Sequence, residues 1–167
     1  MLGELRARDR LVDETFAAAD IVMTPLLGRS LSSYIFIDTT DEKAMAKLEK
    51  ELRQTEITQP ALLATDSGLH RLLGSYGIRP DMVMGHSLGE YGALIAAGSL
   101  TFDAALEAVS ARGREMANLS VEDNGAMAAV FGPLPESERI VAEADGYVVI
   151  ANINSNSQAV IGGATAA

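Results

Sequence analysis

The run Gly85-His86-Ser87-Leu88-Gly89-Glu90 constrains the fold more than any other stretch of the chain. A serine in the pattern G-x-S-x-G marks a sharp turn from strand to helix, and it holds the hydroxyl outward on strained backbone. Flanking glycines leave room where a side chain would collide with backbone or substrate. Asp81-Met82-Val83-Met84, directly after the turn signal Arg79-Pro80, is predicted to be the buried strand entering this corner, and Glu90 to Ala97 the helix leaving it. Ser87 is the corner. The helix N-terminus beyond it offers backbone donors and a positive dipole end to a developing oxyanion, with the Leu88 N–H the first donor. The alternative, a glycine-rich turn with a solvated serine, is weakened by the fit to strand, corner and helix.

A nucleophilic serine needs a base, and the chain has only two histidines, His70 and His86. His86 immediately precedes Ser87, so at a tight corner its side chain diverges from the hydroxyl. His70 lies on a predicted helix from Gln59 to Tyr76 whose apolar stripe is Leu62, Leu69, Leu72, Leu73 and Tyr76. It falls on the edge of that stripe, where a boundary histidine without catalytic role is the simpler reading. No cysteine offers another nucleophile. The base is therefore an unusual carboxylate, or it lies outside this chain.

The remaining pattern is helical as far as Leu119. Leu11 to Val22 carries Leu11, Val12, Thr15, Phe16 and Ala19 on one face, and Asp41 to Gln54 is a charged helix with Met45, Leu48 and Leu52 on one side. Leu31 to Ile37 fits either a helical turn or a strand. Thr58 is the expected cap of the Gln59 helix, with Pro60 in its first turn and Gly77 ending it; Gly98 closes the helix after the corner. Thr101 caps a helix from Phe102 to Leu119 with the stripe Phe102, Ala105, Leu106, Val109 and Met116. On that helix Arg112 lies roughly 60° from the stripe's centre and Arg114 about 140° away. A partly buried arginine presents a planar fork to a carboxylate, which lysine cannot reproduce. The competing role for Arg112 is a structural ion pair. After a polar connector, Ser120 to Asn124, the order is strand 125–131, helix 135–144, strand 147–153 and strand 158–162. That is the first two thirds of a β-α-β-β-α-β unit. The chain thus divides into 1–119 and 120–167.

Composition narrows the class. With 48% hydrophobic and 22% charged residues the chain is an ordinary globular one, and no apolar stretch approaches the ~20 residues a bilayer requires. No signal pattern opens it, so a cytoplasmic location is expected. A net charge of −10 argues against nucleic acid, whose backbone is held by clustered lysine and arginine. With no cysteine and two histidines, a metal site is not expected.

Gly85-His86-Ser87-Leu88-Gly89-Glu90-Tyr91 resembles the nucleophile motif of the malonyl-CoA:acyl carrier protein transacylases and of the acyltransferase domains of fatty acid and polyketide synthases. Thr58-Gln59-Pro60-Ala61-Leu62, Gly77-Ile78-Arg79-Pro80-Asp81, Ala111-Arg112-Gly113-Arg114-Glu115-Met116 and the stretch from Ala151-Asn152 to Gly162-Gly163 match that family in order. The resemblance implies an α/β fold. A partial α/β-hydrolase-like parallel sheet with the nucleophile elbow would form a large subdomain over 1–119, incomplete at its N-terminus. An incomplete ferredoxin-like small subdomain would follow over 120–167, truncated at its C-terminus and with one sheet flank exposed.

It further implies that Ser87 takes an acyl group from malonyl-CoA or a related acyl-CoA and gives it to the phosphopantetheine thiol of an acyl carrier protein. The Leu88 N–H would be one oxyanion donor and Arg112 the grip on the malonyl carboxylate, with no cofactor and no metal. Leu88 resembles malonyl-selecting members more than methylmalonyl-selecting ones. The family's Gly-Gln-Gly segment and catalytic histidine have no match between Met1 and Ala167. The chain is therefore expected to be an internal piece of a larger synthase polypeptide, impaired in isolation. A serine hydrolase of esterase or thioesterase type and a non-catalytic structural fragment are the rival readings.

Overall fold

A computed structural model describes residues 2–37, 39–118 and 123–167, which fall in two compact units, Met1–Asn118 and Leu119–Ala167. Every regular element described in the first unit is a helix. These are α1 (Gly3–Arg8), α2 (Arg10–Leu27), α3 (Ser32–Ile35), α4 (Glu42–Leu52), α5 (Thr55–Ser75), α6 (Gly89–Ala96) and α7 (Phe102–Ala117). α2 starts where Asp9, in extended backbone, accepts hydrogen bonds from the Leu11 and Val12 amides at 2.9 and 3.2 Å. Its expected face is the one buried: Val12, Thr15, Phe16 and Ala19, joined by Met23. These pack with Ala61, Leu63 and Ala64 of α5 and Ala105, Leu106 and Val109 of α7, all essentially inaccessible. Leu31 to Ile37 resolves to the short helix α3. α1 had no forecast in the sequence; it is held by Arg6, which pairs with Asp13 at 2.8 Å and stacks on Phe36.

Several expectations for this unit are corrected. Asp81–Met84 forms no strand: Asp81 and Met82 lie in a bend, and Met82 and Met84 are 91% and 93% exposed rather than buried. A strand exists only where a neighbour completes its ladder, and no strand is described in this unit to pair with it. α5 begins at Thr55, so Thr58 is inside the helix instead of capping it; its hydroxyl donates to the Leu52 carbonyl. The stripe chosen for α5 is not its buried face. Leu62, Leu73 and Tyr76 are exposed, while Ile57, Gln59, Ala61, Leu63, Ala64, Ser67 and Gly68 are buried. Small residues make up much of the inner face, where α2 and α7 approach closely, and Leu62 and Leu73 are left outside while Leu63 points in. On α7, Thr101 caps as expected at 3.3 Å, but Met116 is about half exposed. The stretch 119–122, which includes the expected end of α7, the boundary at 119/120 and most of the connector, lies outside the described residues.

The second unit contains β1 (Ala126–Phe131), α8 (Leu134–Glu143), β2 (Val148–Ser155) and β3 (Gln158–Gly163). β3 is the central strand of a sheet ordered β1-β3-β2 and pairs antiparallel with both neighbours, Ala128 opposite Ile161 and Ile150 opposite Ile161. Ala159, the second residue of β3, is buried. Asp123 ties the two ends of this unit together. It accepts from the Thr165 hydroxyl, from the Gly125 amide at 2.9 Å and from the Thr165 amide at 2.8 Å, and these bonds hold its carboxyl below the usual carboxylate range.

Candidate active site

The corner at Ser87 is present without a strand leading into it. Ser87 sits at φ 54°, one of two non-glycine residues with positive φ among the described residues. Left-handed backbone costs an L-residue about 1–2 kcal/mol, and here the turn imposes it. The Gly89 amide donates to the His86 carbonyl at 2.9 Å and the Glu90 amide to the Ser87 carbonyl at 3.1 Å. Gly85 is required by the return of the chain: a Cβ there would lie 2.0 Å from the Gly89 carbonyl carbon and oxygen and 2.3 Å from the Glu90 nitrogen. Ser87 is consequently exposed at the start of α6, as the motif predicts. Leu88 is half-buried against the core, and its amide has no hydrogen-bond partner among the described residues. It is free to donate to an incoming oxyanion.

Arg112 reaches the same point from α7. Its Nη2 donates to Ser87 Oγ at 3.0 Å and its Nη1 to Gln59 Oε1 at 2.7 Å. No carboxylate pairs with Arg112 among the described residues, whereas Arg6, Arg10, Arg29, Arg71 and Arg139 each have an acidic partner. The structural ion pair considered for Arg112 is not seen. Arg114 is exposed, as its angular position on α7 implies. Gln59 is the site residue that sequence reasoning missed. It lies on the buried face of α5, which the stripe Leu62, Leu69, Leu72, Leu73 and Tyr76 does not mark.

Neither histidine is hydrogen-bonded to Ser87. His86 is exposed, and His70 lines a separate concavity of about 500 Å³ with Asp66, Ser67, Met82, Met84 and Gly92, which includes neither Ser87 nor Arg112. Partial burial there pushes the Asp66 carboxyl up from the usual range. Among the described residues there is no cluster of side chains suited to a metal ion, and no helix long and apolar enough to cross a membrane.

Comparison with known proteins gives the family of the chain. Residues 1–167 match the family model described as acyl transferase domain. The chain belongs to that family. This acyl transferase domain chain is 39% identical over 167 residues to the malonyl CoA-acyl carrier protein transacylase of Escherichia coli O157:H7, covering 98% of the chain and 50% of that enzyme. It is 38% identical over 164 residues to the polyketide synthase GfsA of Streptomyces halstedii, covering 98% of the chain and 2% of the synthase. The crystal structure of MCAT from Streptococcus pneumoniae superposes with a TM-score of 0.82 at 38% identity, over 99% of this chain and 51% of that one. The acyl transferase chain thus spans about half the length of the transacylase it matches.

Proposed function

We propose that this chain carries the nucleophile and the carboxylate-binding arginine of a transferase that moves a malonyl-type acyl group from coenzyme A to the phosphopantetheine thiol of an acyl carrier protein. The observation that carries this reading is the 3.0 Å contact between Arg112 Nη2 and Ser87 Oγ. In a malonyl thioester the free carboxylate carbon lies two bonds, about 2.5 Å, from the carbonyl that is attacked. A guanidinium touching the nucleophile is therefore placed to hold that carboxylate while Oγ approaches the thioester carbon at about 3 Å. Ser87 Oγ forms the ester bond, the carbon–sulfur bond breaks, and the hydroxyl proton passes through a base to the departing thiolate. The carrier thiol reverses these steps. The Leu88 amide, at the N-terminus of α6, stabilises the tetrahedral oxyanion.

We propose that the base and a second oxyanion donor come from residues outside these 167, since neither histidine contacts Ser87 and the chain spans half of its transacylase relative. In this reading Met1–Asn118 and Leu119–Ala167 are the large and the ferredoxin-like small subdomains of a cytoplasmic acyltransferase. The 81–84 segment joins an α/β-hydrolase-like sheet when partner strands are supplied. The test is to load the full-length protein with radiolabelled malonyl-CoA and then add a carrier protein. Label moving to the carrier thiol supports transfer, while steady release of free malonate without an acceptor supports a hydrolase instead.

A further inference from the structure

Gln59 is a polar side chain, 5% exposed, among the apolar residues of the inner face of α5. A buried primary amide has to place both of its ends. Both go to one helix: Oε1 accepts from Arg112 Nη1 at 2.7 Å, and Nε2 faces Met116 Sδ, one turn further along α7, at 3.5 Å. The helices cannot draw apart or close at this point without penalty. At Gly113, next to Arg112, a Cβ would lie 2.6 Å from Glu56 Cα and 2.8 Å from the Thr55 carbonyl oxygen, so α5 and α7 touch backbone to backbone one turn before Gln59. The guanidinium is thereby fixed on Ser87 by a neutral acceptor. A carboxylate in the place of that amide would fix it equally well but would cancel its charge.

We propose that Gln59 is a positioning and selectivity residue: its amide oxygen holds Arg112 beside Ser87 while leaving the positive charge for the carboxylate of an incoming dicarboxylic acyl group. This rests on the reading of Arg112 as the carboxylate grip. Being an amide, Gln59 sets the preference for an anionic acyl unit over a neutral one of similar size.

The test measures the rate of Ser87 acylation by malonyl-CoA and by acetyl-CoA in the full-length protein and in Gln59→Glu, Gln59→Met and Arg112→Ala variants, with a thermal melt of each. Gln59→Glu is expected to lower the malonyl-to-acetyl ratio about tenfold to a hundredfold, the range for loss of one charged hydrogen bond. Gln59→Met fills the same space without an acceptor and should raise KM for malonyl-CoA more than it lowers kcat. A residue that only packs would depress both substrates in parallel. An unchanged ratio in Gln59→Glu, while Arg112→Ala abolishes the preference, overturns the role of Gln59 and leaves the arginine's intact. An unchanged ratio in Arg112→Ala overturns the reading of the arginine and this inference with it. Should Gln59→Met fail to fold, Gln59→Asn, which withdraws the acceptor by one methylene, is read the same way. Failure of every variant to fold makes the residue structural and overturns the proposal.

Discussion

Replacing Gly113 by alanine tests the close crossing of α5 and α7 on which the arginine depends. Alanine normally stabilises a helix interior over glycine by about 1 kcal/mol. At Gly113 the new methyl would meet backbone, 2.6 Å from Glu56 Cα and 2.9 Å from the Glu56 nitrogen, where ordinary contact starts at 3.4 Å. Backbone cannot rotate away, so the helices must separate by most of an ångström. Their shared layer contains Ala61, Leu63, Ala64, Ala105, Leu106 and Val109, and a gap of that size forfeits about a quarter to a half of the dispersion energy of each contact it opens. Overpacking of this kind costs about 1–3 kcal/mol, which offsets the propensity gain and leaves a net loss of up to about 2 kcal/mol. Gly74, in the last turn of α5, has nothing within 4 Å of its would-be Cβ, so the same substitution there should gain up to about 1 kcal/mol. Urea unfolding of the two variants against wild type gives the comparison, with thermal midpoints moving about 2–4 °C per kcal/mol. Shifts of the same sign at both positions would refute the packing argument.

Other expected outcomes follow from single contacts. Gly85→Ala places a methyl 2.0 Å from the Gly89 carbonyl, so acylation of Ser87 should fall at least a hundredfold, the typical loss when oxyanion geometry is disturbed, as read by rapid-quench mass spectrometry. Arg112→Lys keeps the charge but loses the fork that spans Ser87 Oγ and Gln59 Oε1; malonyl acylation should drop about tenfold to a hundredfold while the thermal midpoint stays within a few degrees. Asp66 holds its proton more tightly folded than unfolded, so its contribution to stability falls as pH rises from 3.8 through the raised folded value. Asp66→Asn should therefore melt higher than wild type at pH 7, and the difference should close below pH 3.8.

Helices whose inner face is large and apolar were legible from spacing alone. α2 and α7 are examples, because Phe16, Leu106 and Val109 announce their face by size. α5 differs for the opposite reason: beside Ile57 and Leu63 its core face consists of small residues such as Ala61, Ala64, Ser67 and Gly68, while leucines at 62 and 73 look outward. Close helix approach favours small residues, and a hydrophobicity pattern weighs them too lightly. The 81–84 segment shows a second limit. Val83 and its methionine neighbours have the composition of a strand, but pairing is a property of two segments, and the first described unit supplies only one. The corner itself was readable because Gly85 and Ser87 are fixed by local backbone geometry that needs no partner. The resemblance and the angle of Arg112 on α7 pointed to a partly buried arginine for a carboxylate, but its contact with Ser87 Oγ is seen only in the structure. The Gln59 anchor became visible only with the crossing of the two helices.

The most direct measurement is peptide mapping by mass spectrometry after brief exposure of the full-length protein to malonyl-CoA. A malonyl ester on the peptide containing Ser87, absent from Ser87→Ala and discharged by a carrier-protein thiol, is the expected result. An unmodified Ser87, or a malonyl group found only on another side chain, would contradict the account.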